Sequence, residues 1–210
     1  MGYITAKTEG QKEYIRSIVE NDITFVEGPS GTGKTYIAVG IALDWLNRPD
    51  KPIEKILLTR PTIHIGPSIG YFPGNRQEKS EEYLFPVIQT IKKIIGEKEY
   101  KSLLNQKKIE ILPLPLIGGL SLDNYFIISD ENQLAIYGQI KCLLTRIGTD
   151  STMVLNGDGD QSNLPYAPCP FVEIANNLSG LNGIGHVKLG LDDIVRNGLI
   201  GQILRILVDK

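Results

Sequence analysis

The sequence predicts an α/β fold: a mostly parallel sheet with helices on both of its faces. Three observations carry that prediction. Along the 210 residues, short apolar runs alternate with segments of helical periodicity. A glycine-rich segment, Gly28-Pro29-Ser30-Gly31-Thr32-Gly33-Lys34-Thr35, stands between the first strand and the helix after it. Polar clusters come directly after apolar strands, at the carboxyl ends where an open parallel sheet collects its ligands.

A first helix is predicted over residues 8–20, because Tyr14, Ile15, Ile18 and Val19 recur at helical spacing. The first strand is 23–27, and its helix runs from the glycine loop to about residue 47. Residues 48–52, with two prolines, make a turn before the strand at 56–59. Residues 61–76 hold three prolines and three glycines with little periodicity, a long loop of the kind that is functional or changes shape. A helix follows, with Pro86 in its first turn and Val87, Ile88, Ile91, Ile94 and Ile95 on one face; Gly96 is its stop, and a short second helix covers 98–105. Strands are predicted at 109–112, 125–129, 152–155 and 186–189, and helices at 134–146 and 194–208. The whole is one domain, 1–210, with 61–105 as a helical and loop insertion facing a partner.

Composition narrows the class. Hydrophobic residues are 41% and charged residues 22%, an ordinary globular balance, and the net charge of −2 offers no global field for nucleic acid. The lysines at 92, 93, 98, 101, 107 and 108 are diluted by Glu97, Glu99 and Glu110, which reads as a solvated face more readily than as a nucleic-acid patch. Cys142 and Cys169 do not make a disulfide framework, and with two histidines, His64 and His186, they show no zinc-ligand spacing. The first seven residues lack an apolar core, so no signal peptide is expected. The longest apolar stretch, 111–120, is broken by Pro113 and Pro115, so no membrane partner is expected either.

The glycine loop is G-x-x-x-x-G-K-[ST] in the context the motif needs, a strand before and a helix after. Its backbone amides can point inward to hold phosphate oxygens, and the following helix directs its positive end at them. Lys34 brings a point charge to the outer phosphates, and Thr35 offers a hydroxyl to Mg²⁺. Asp130 follows an apolar strand and can hold that ion from the opposite side, and Glu131 beside it is placed to orient an attacking water. After the strand at 152–155, Gln161 can sense a γ-phosphate, whereas Asp158 and Asp160 form either a second metal site or a plain turn. A hydrolytic site also wants a cation for the transition state. Arg60, Arg146 and Arg196 are the candidates, the last two supplied across a subunit boundary.

With these motifs in order, the chain resembles the PhoH-like family of P-loop ATPases. The resemblance runs from about Gln11 to Leu207 through Leu58-Thr59-Arg60-Pro61, Gly70-Tyr71-Phe72-Pro73-Gly74, Asp130-Glu131-Asn132-Gln133, Leu144-Thr145-Arg146-Ile147-Gly148 and Asp193-Ile194-Val195-Arg196. It departs at Gly118-Gly119-Leu120, where the family usually has Arg-Gly-Arg, and at Asn132, where it usually has Ala. The resemblance implies a RecA-like domain, Gln11 near an adenine, Gln161 near the γ-phosphate, and a cytoplasmic location, the host cytoplasm for a short phage-type member. The expectation is an ATP-binding protein that hydrolyses ATP with Mg²⁺, coupled to RNA or to a protein partner. It is expected to work as a homo-oligomer, a ring being one form, with nucleotide at the subunit boundary. A nucleotide-gated binding module with little turnover is the alternative. A full helicase needs two RecA-like units, and 210 residues supply one.

Overall fold

The computed structural model describes residues 2–61, 84–162 and 169–196, together with residues 203 and 206. In chain order the elements are α1 (Glu9–Glu20), β1 (Ile23–Glu27), α2 (Lys34–Leu46), β2 (Lys55–Thr59), α3 (Phe85–Asn105), β3 (Ile109–Ile111), β4 (Tyr125–Ser129), α4 (Tyr137–Leu144), β5 (Thr152–Gly157), α5 (Pro170–Leu178) and β6 (Ile184–Lys188). Six strands form one sheet in the order β3-β2-β4-β5-β1-β6, and each pairing is parallel. In register, Phe25 lies between Leu155 and His186, and Ile128 between Leu58 and Val154. Parallel pairing requires a crossover between strands, and the helices that supply it cover both faces.

Side chains alternate across each strand, so every strand contributes to two cores. Val26, Ile56, Leu58, Phe126, Ile128 and Val154 face α1, α2 and α3. Phe25, Leu57, Ile127, Met153 and Leu155 face α4, α5 and the segment from Leu114 to Leu122. On the first face Trp45 of α2 meets Phe126 edge-on, with ring centroids 5.5 Å apart. The parallel α/β architecture expected from the sequence is the one observed.

Several elements differ in detail. The helix expected at 134–146 is Tyr137–Leu144; a single 3-10 turn, Asn132–Leu134, precedes it, and Ala135 is extended. Its start is set at Ile136, whose N–H donates to Gln139 Oε1 (3.1 Å). The stretch 85–105 is broken at Gly96, whose φ of 83° and ψ of 159° interrupt the helical path where a stop was expected. Helix α5 is an addition to the sequence reading. Its signal was present: Pro170 in the first turn, then Phe171, Ile174, Ala175 and Leu178 on one face. The helix expected from residue 194 does not begin there, because 194–196 are irregular, and residues 197–202 lie outside the described set. So does the expected loop, beyond Pro61, and His64 with it. Among the described residues no helix is long and apolar enough to cross a membrane.

Candidate functional site

The strand order decides where the site lies. β5 sits between β1 and β4, so three carboxyl ends stand side by side and bring together the loop after Glu27, the turn after Ser129 and the turn after Gly157. The loop is fastened at both ends. Gly28 N–H donates to Gly157 O (3.2 Å), and Ile37 N–H donates to Gly33 O (2.9 Å) as α2 begins. Gly28 has φ 152°, and a Cβ there would stand 2.5 Å from Leu189 O, so any larger residue would displace the loop from β6. Gly33 caps α2 in the left-handed conformation without a side-chain bond to the first amides. An uncapped helix start of this kind is suited to an anion.

Lys34 Nζ lies within the curl of the loop, donating to Gly28 O and, at 3.0 Å, to Pro29 O. Burial pulls its ammonium below the ordinary lysine range, while the charges of Asp158, Asp130 and Glu131 oppose that shift. Thr32 Oγ1 donates to Pro29 O (2.9 Å), so Gly28, Pro29 and Thr32 shape the loop, whereas Ser30, Gly31, Gly33, Lys34 and Thr35 face the cavity.

Thr35 Oγ1 donates to Asp130 Oδ1 at 3.1 Å, which puts the two expected metal oxygens side by side. Asn156 Nδ2 donates to the same Oδ1 (3.3 Å), and Tyr14 OH donates to Asn156 Oδ1 (3.0 Å). Burial, and then the Glu131 charge, push the Asp130 carboxyl up; the Asn156 and Thr35 hydrogen bonds and the Arg60 charge act against that. Among the described residues no group of three or more His, Cys, Asp and Glu is arranged to hold a metal. A hydroxyl and one carboxylate fit Mg²⁺, which takes few protein oxygens and fills its shell with phosphate and water.

Glu131 adopts φ 58° and ψ 41°, a left-handed backbone that costs a non-glycine residue about 1 kcal/mol or more and concentrates at functional sites. Its Oε2 accepts from Gln133 Nε2 (2.5 Å), and Gln133 Oε1 accepts from Asp158 N–H (3.1 Å). Gln161 Nε2 donates to Asp158 Oδ2 (2.7 Å), and Asp160 N–H donates to Asp158 Oδ1 (3.2 Å). Asp158 therefore closes its own turn, which favours the turn reading over a second metal site. Burial pushes the Asp158 carboxyl up, with the Lys34 charge as the main opposing influence.

These groups line one cavity of 620 Å³: Lys34, Thr35, Asp130, Glu131, Gln161 and Arg196, with Gln11 along another wall. Gln11 Nε2 donates to Thr32 O (2.9 Å) and its Oε1 accepts from Lys7 N–H (2.8 Å), so it braces the loop from α1. The segment after β6 crosses the loop: Val195 N–H donates to Gly31 O (3.1 Å), and the Arg196 stem lies 3.4 Å from the place of a Gly31 Cβ. Arg196 thus lines the cavity of its own chain. Arg146 is elsewhere. It follows α4 at the amino ends of the strands, where its Nη1 donates to Leu120 O (3.4 Å), and it does not line the cavity. Of the expected insertion, α3 contributes Pro86, Thr90 and Lys93 to a cavity wall while burying Val87, Ile88 and Ile91 in the core. The sequence reading gave no site role to Tyr14, Asn132, Gln133 or Asn156. Polar residues on apolar faces or at strand ends were the signal, but their meaning depends on which strands become neighbours.

Residues 3–208 match the protein-family description "PhoH-like protein". The chain belongs to the PhoH-like family. It is 38% identical over 202 residues to the PhoH-like protein of Bacillus subtilis, covering 96% of this chain and 63% of that one. To Protein PhoH of Escherichia coli it is 31% identical over 204 residues, covering 96% and 57%. The chain thus spans about three-fifths of the length of these relatives. Among solved structures, the large terminase of a thermophilic bacteriophage matches with a TM-score of 0.57 at 12% identity, over 94% of this chain and 49% of that one. The same terminase in complex with ADP gives 0.55 at 11% identity over the same shares. The likeness shows the fold, α/β and RecA-like.

Proposed function

We propose that this PhoH-like chain binds ATP with Mg²⁺ and hydrolyses it to ADP and phosphate. The observation that carries the reading is the convergence of Lys34, Thr35, Asp130, Glu131, Gln161 and Arg196 on one cavity at three adjacent strand ends. The ADP bound by the thermophilic phage terminase, a protein of the same fold, supports a nucleotide as ligand.

The roles follow from position. The loop amides and Lys34 hold the phosphates, and Gln11, with Tyr3, Thr5 and Lys7 ahead of α1, borders the end of the cavity left for the base. Thr35 and Asp130 would hold Mg²⁺, which offsets charge on the β- and γ-phosphates when bound. Glu131 takes a proton from water as the water oxygen bonds to the γ-phosphorus and the bond to the β–γ bridging oxygen breaks, leaving ADP. Gln161 reads the γ-phosphate, and Arg196 offsets the charge that develops on it. Turnover is coupled to an RNA or protein partner through the 61–105 insertion, because the Pro86, Thr90 and Lys93 face of α3 forms part of the cavity wall. Calorimetry and phosphate release, with and without single-stranded RNA, test this. Lys34→Ala is expected to lose binding, and Glu131→Gln to bind ATP without turnover. A wild-type protein that ignores ATP–Mg²⁺ would refute the reading; one that binds without hydrolysing would favour a nucleotide-gated module.

A further inference from the structure

We infer that Gln133 is a positioning residue for Glu131: it holds one oxygen of that carboxylate and ties it to the turn that carries Asp158 and Gln161. The inference rests on the proposed hydrolysis and adds a residue to it. Gln133 is 2% exposed, and both ends of its amide are committed. Its Nε2 donates to Glu131 Oε2 at 2.5 Å and its Oε1 accepts from Asp158 N–H at 3.1 Å. These partners fix the amide's orientation, because a flipped amide would set oxygen against carboxylate and N–H against N–H.

The backbone beneath is equally constrained. Asn132 is fully buried in the 3-10 turn that begins after Glu131. Its Oδ1 accepts from Ser129 Oγ (2.7 Å), and its Nδ2 donates to Ser129 O (2.7 Å) and Asn156 O (2.8 Å). The turn is thereby joined to the ends of both β4 and β5, which over-determines the left-handed backbone of Glu131. From this anchored turn Gln133 reaches back two residues and fixes the carboxylate. One oxygen, Oε2, is held, and the other, Oε1, is left to take the proton of water. Asp158, bonded to Gln133 through its amide and to Gln161 through its carboxylate, links that geometry to the residue placed to read the γ-phosphate.

Two variants separate the contributions. Gln133→Glu keeps an acceptor for Asp158 N–H, loses the donor to Glu131 and sets two carboxylates together. Gln133→Met keeps the volume and loses both bonds. In the full chain, with ATP–Mg²⁺, Kd is expected to stay within about threefold of wild type while kcat falls about tenfold or more, since misplacing a reacting group is felt in the chemical step. In a Glu131→Gln background, the slow residual cleavage followed over long single-turnover incubations is expected to show no further loss from either change, because the group being positioned is already gone. A general packing defect would instead multiply with Glu131→Gln and weaken Kd. Active wild type with kcat unchanged in Gln133→Glu overturns this inference alone, as do effects that multiply. Wild type without turnover overturns the hydrolytic reading on which it rests.

Discussion

Tyr14→Phe removes a single oxygen from beneath the phosphate loop. That oxygen is completely buried, donates to Asn156 Oδ1 at 3.0 Å, and lies 3.3 Å from Lys34 O as a second acceptor. Asn156 is itself fully buried, so its carbonyl oxygen would be left without this donor and without water. Leaving a buried acceptor unsatisfied costs about 1–3 kcal/mol. At about 2–4 °C per kcal/mol for a chain of this size, Tm should fall by about 2–12 °C. A second readout gives the sign at high pH. Burial, and then the Asp130 charge, hold the Tyr14 phenol well above the ordinary tyrosine value, so the folded protein keeps a proton that the unfolded chain releases above pH ~10. The stabilisation is therefore full below pH ~10 and fades above it, by up to about 1.4 kcal/mol per pH unit, and the Phe variant lacks that slope. Thermal melts of both proteins from pH 7 to 11 should show a gap that narrows above pH 10. Equal Tm at pH 7 together with parallel alkaline slopes would refute the reasoning.

Lys34→Ala should abolish ligand-induced stabilisation. With ATP–Mg²⁺ at a hundred times Kd, wild type should gain about 2.7 kcal/mol, or about 5–11 °C in Tm, and the variant should not move. Arg196→Ala should keep ATP binding and lose about 10³ in turnover. Because Arg196 lines its own chain's cavity, mixing that variant with Glu131→Gln should restore no activity, and recovery on mixing would show an arginine supplied between subunits. Glu27 lies between His186 Nε2 (3.0 Å) and Lys188 Nζ (2.7 Å), and its hydrogen bond to His186 leads the influences that hold its carboxyl below the ordinary range. Glu27→Gln should therefore lower Tm at pH 7, with the gap closing as pH falls below ~4.3; a gap independent of pH would rule out that origin.

What could be read from the sequence was whatever is local. The glycine loop is contiguous, and its motif marks Gly28, Gly33, Lys34 and Thr35 directly. Asp130 and Glu131 are legible because four largely apolar residues precede them. The same reasoning could not assign Asn156 or Tyr14. Tyr14 sits at a helical position shared with Ile18, where an aromatic residue reads as plain core, and its hydroxyl acquires a function only when β5 comes to lie beside β1. Gln133 and Asp158 are 25 positions apart and meet because β4 pairs with β5. The helix expected at 134–146 is shorter, Tyr137–Leu144, for a related reason. Asn132 clamps the ends of β4 and β5, which commits the chain through Leu134 to a 3-10 turn and leaves Ala135 extended, so a tertiary bond overrides propensity at the expected helix start.

The position of β1 sets an order on assembly. Of the six strands, the one that carries the glycine loop is made first, yet its two neighbours are β5 and β6, which begin at Thr152 and Ile184. During synthesis, then, the loop emerges early and waits. β2 can pair with β3 and β4, but β1 stays without hydrogen-bonded neighbours until β5 has left the ribosome. Such late, long-range closure slows folding and leaves an apolar strand with both edges open in the interim. A nascent chain stalled before residue 152 should therefore hold a complete loop sequence and no site, and should be more prone to aggregate than one released after residue 188.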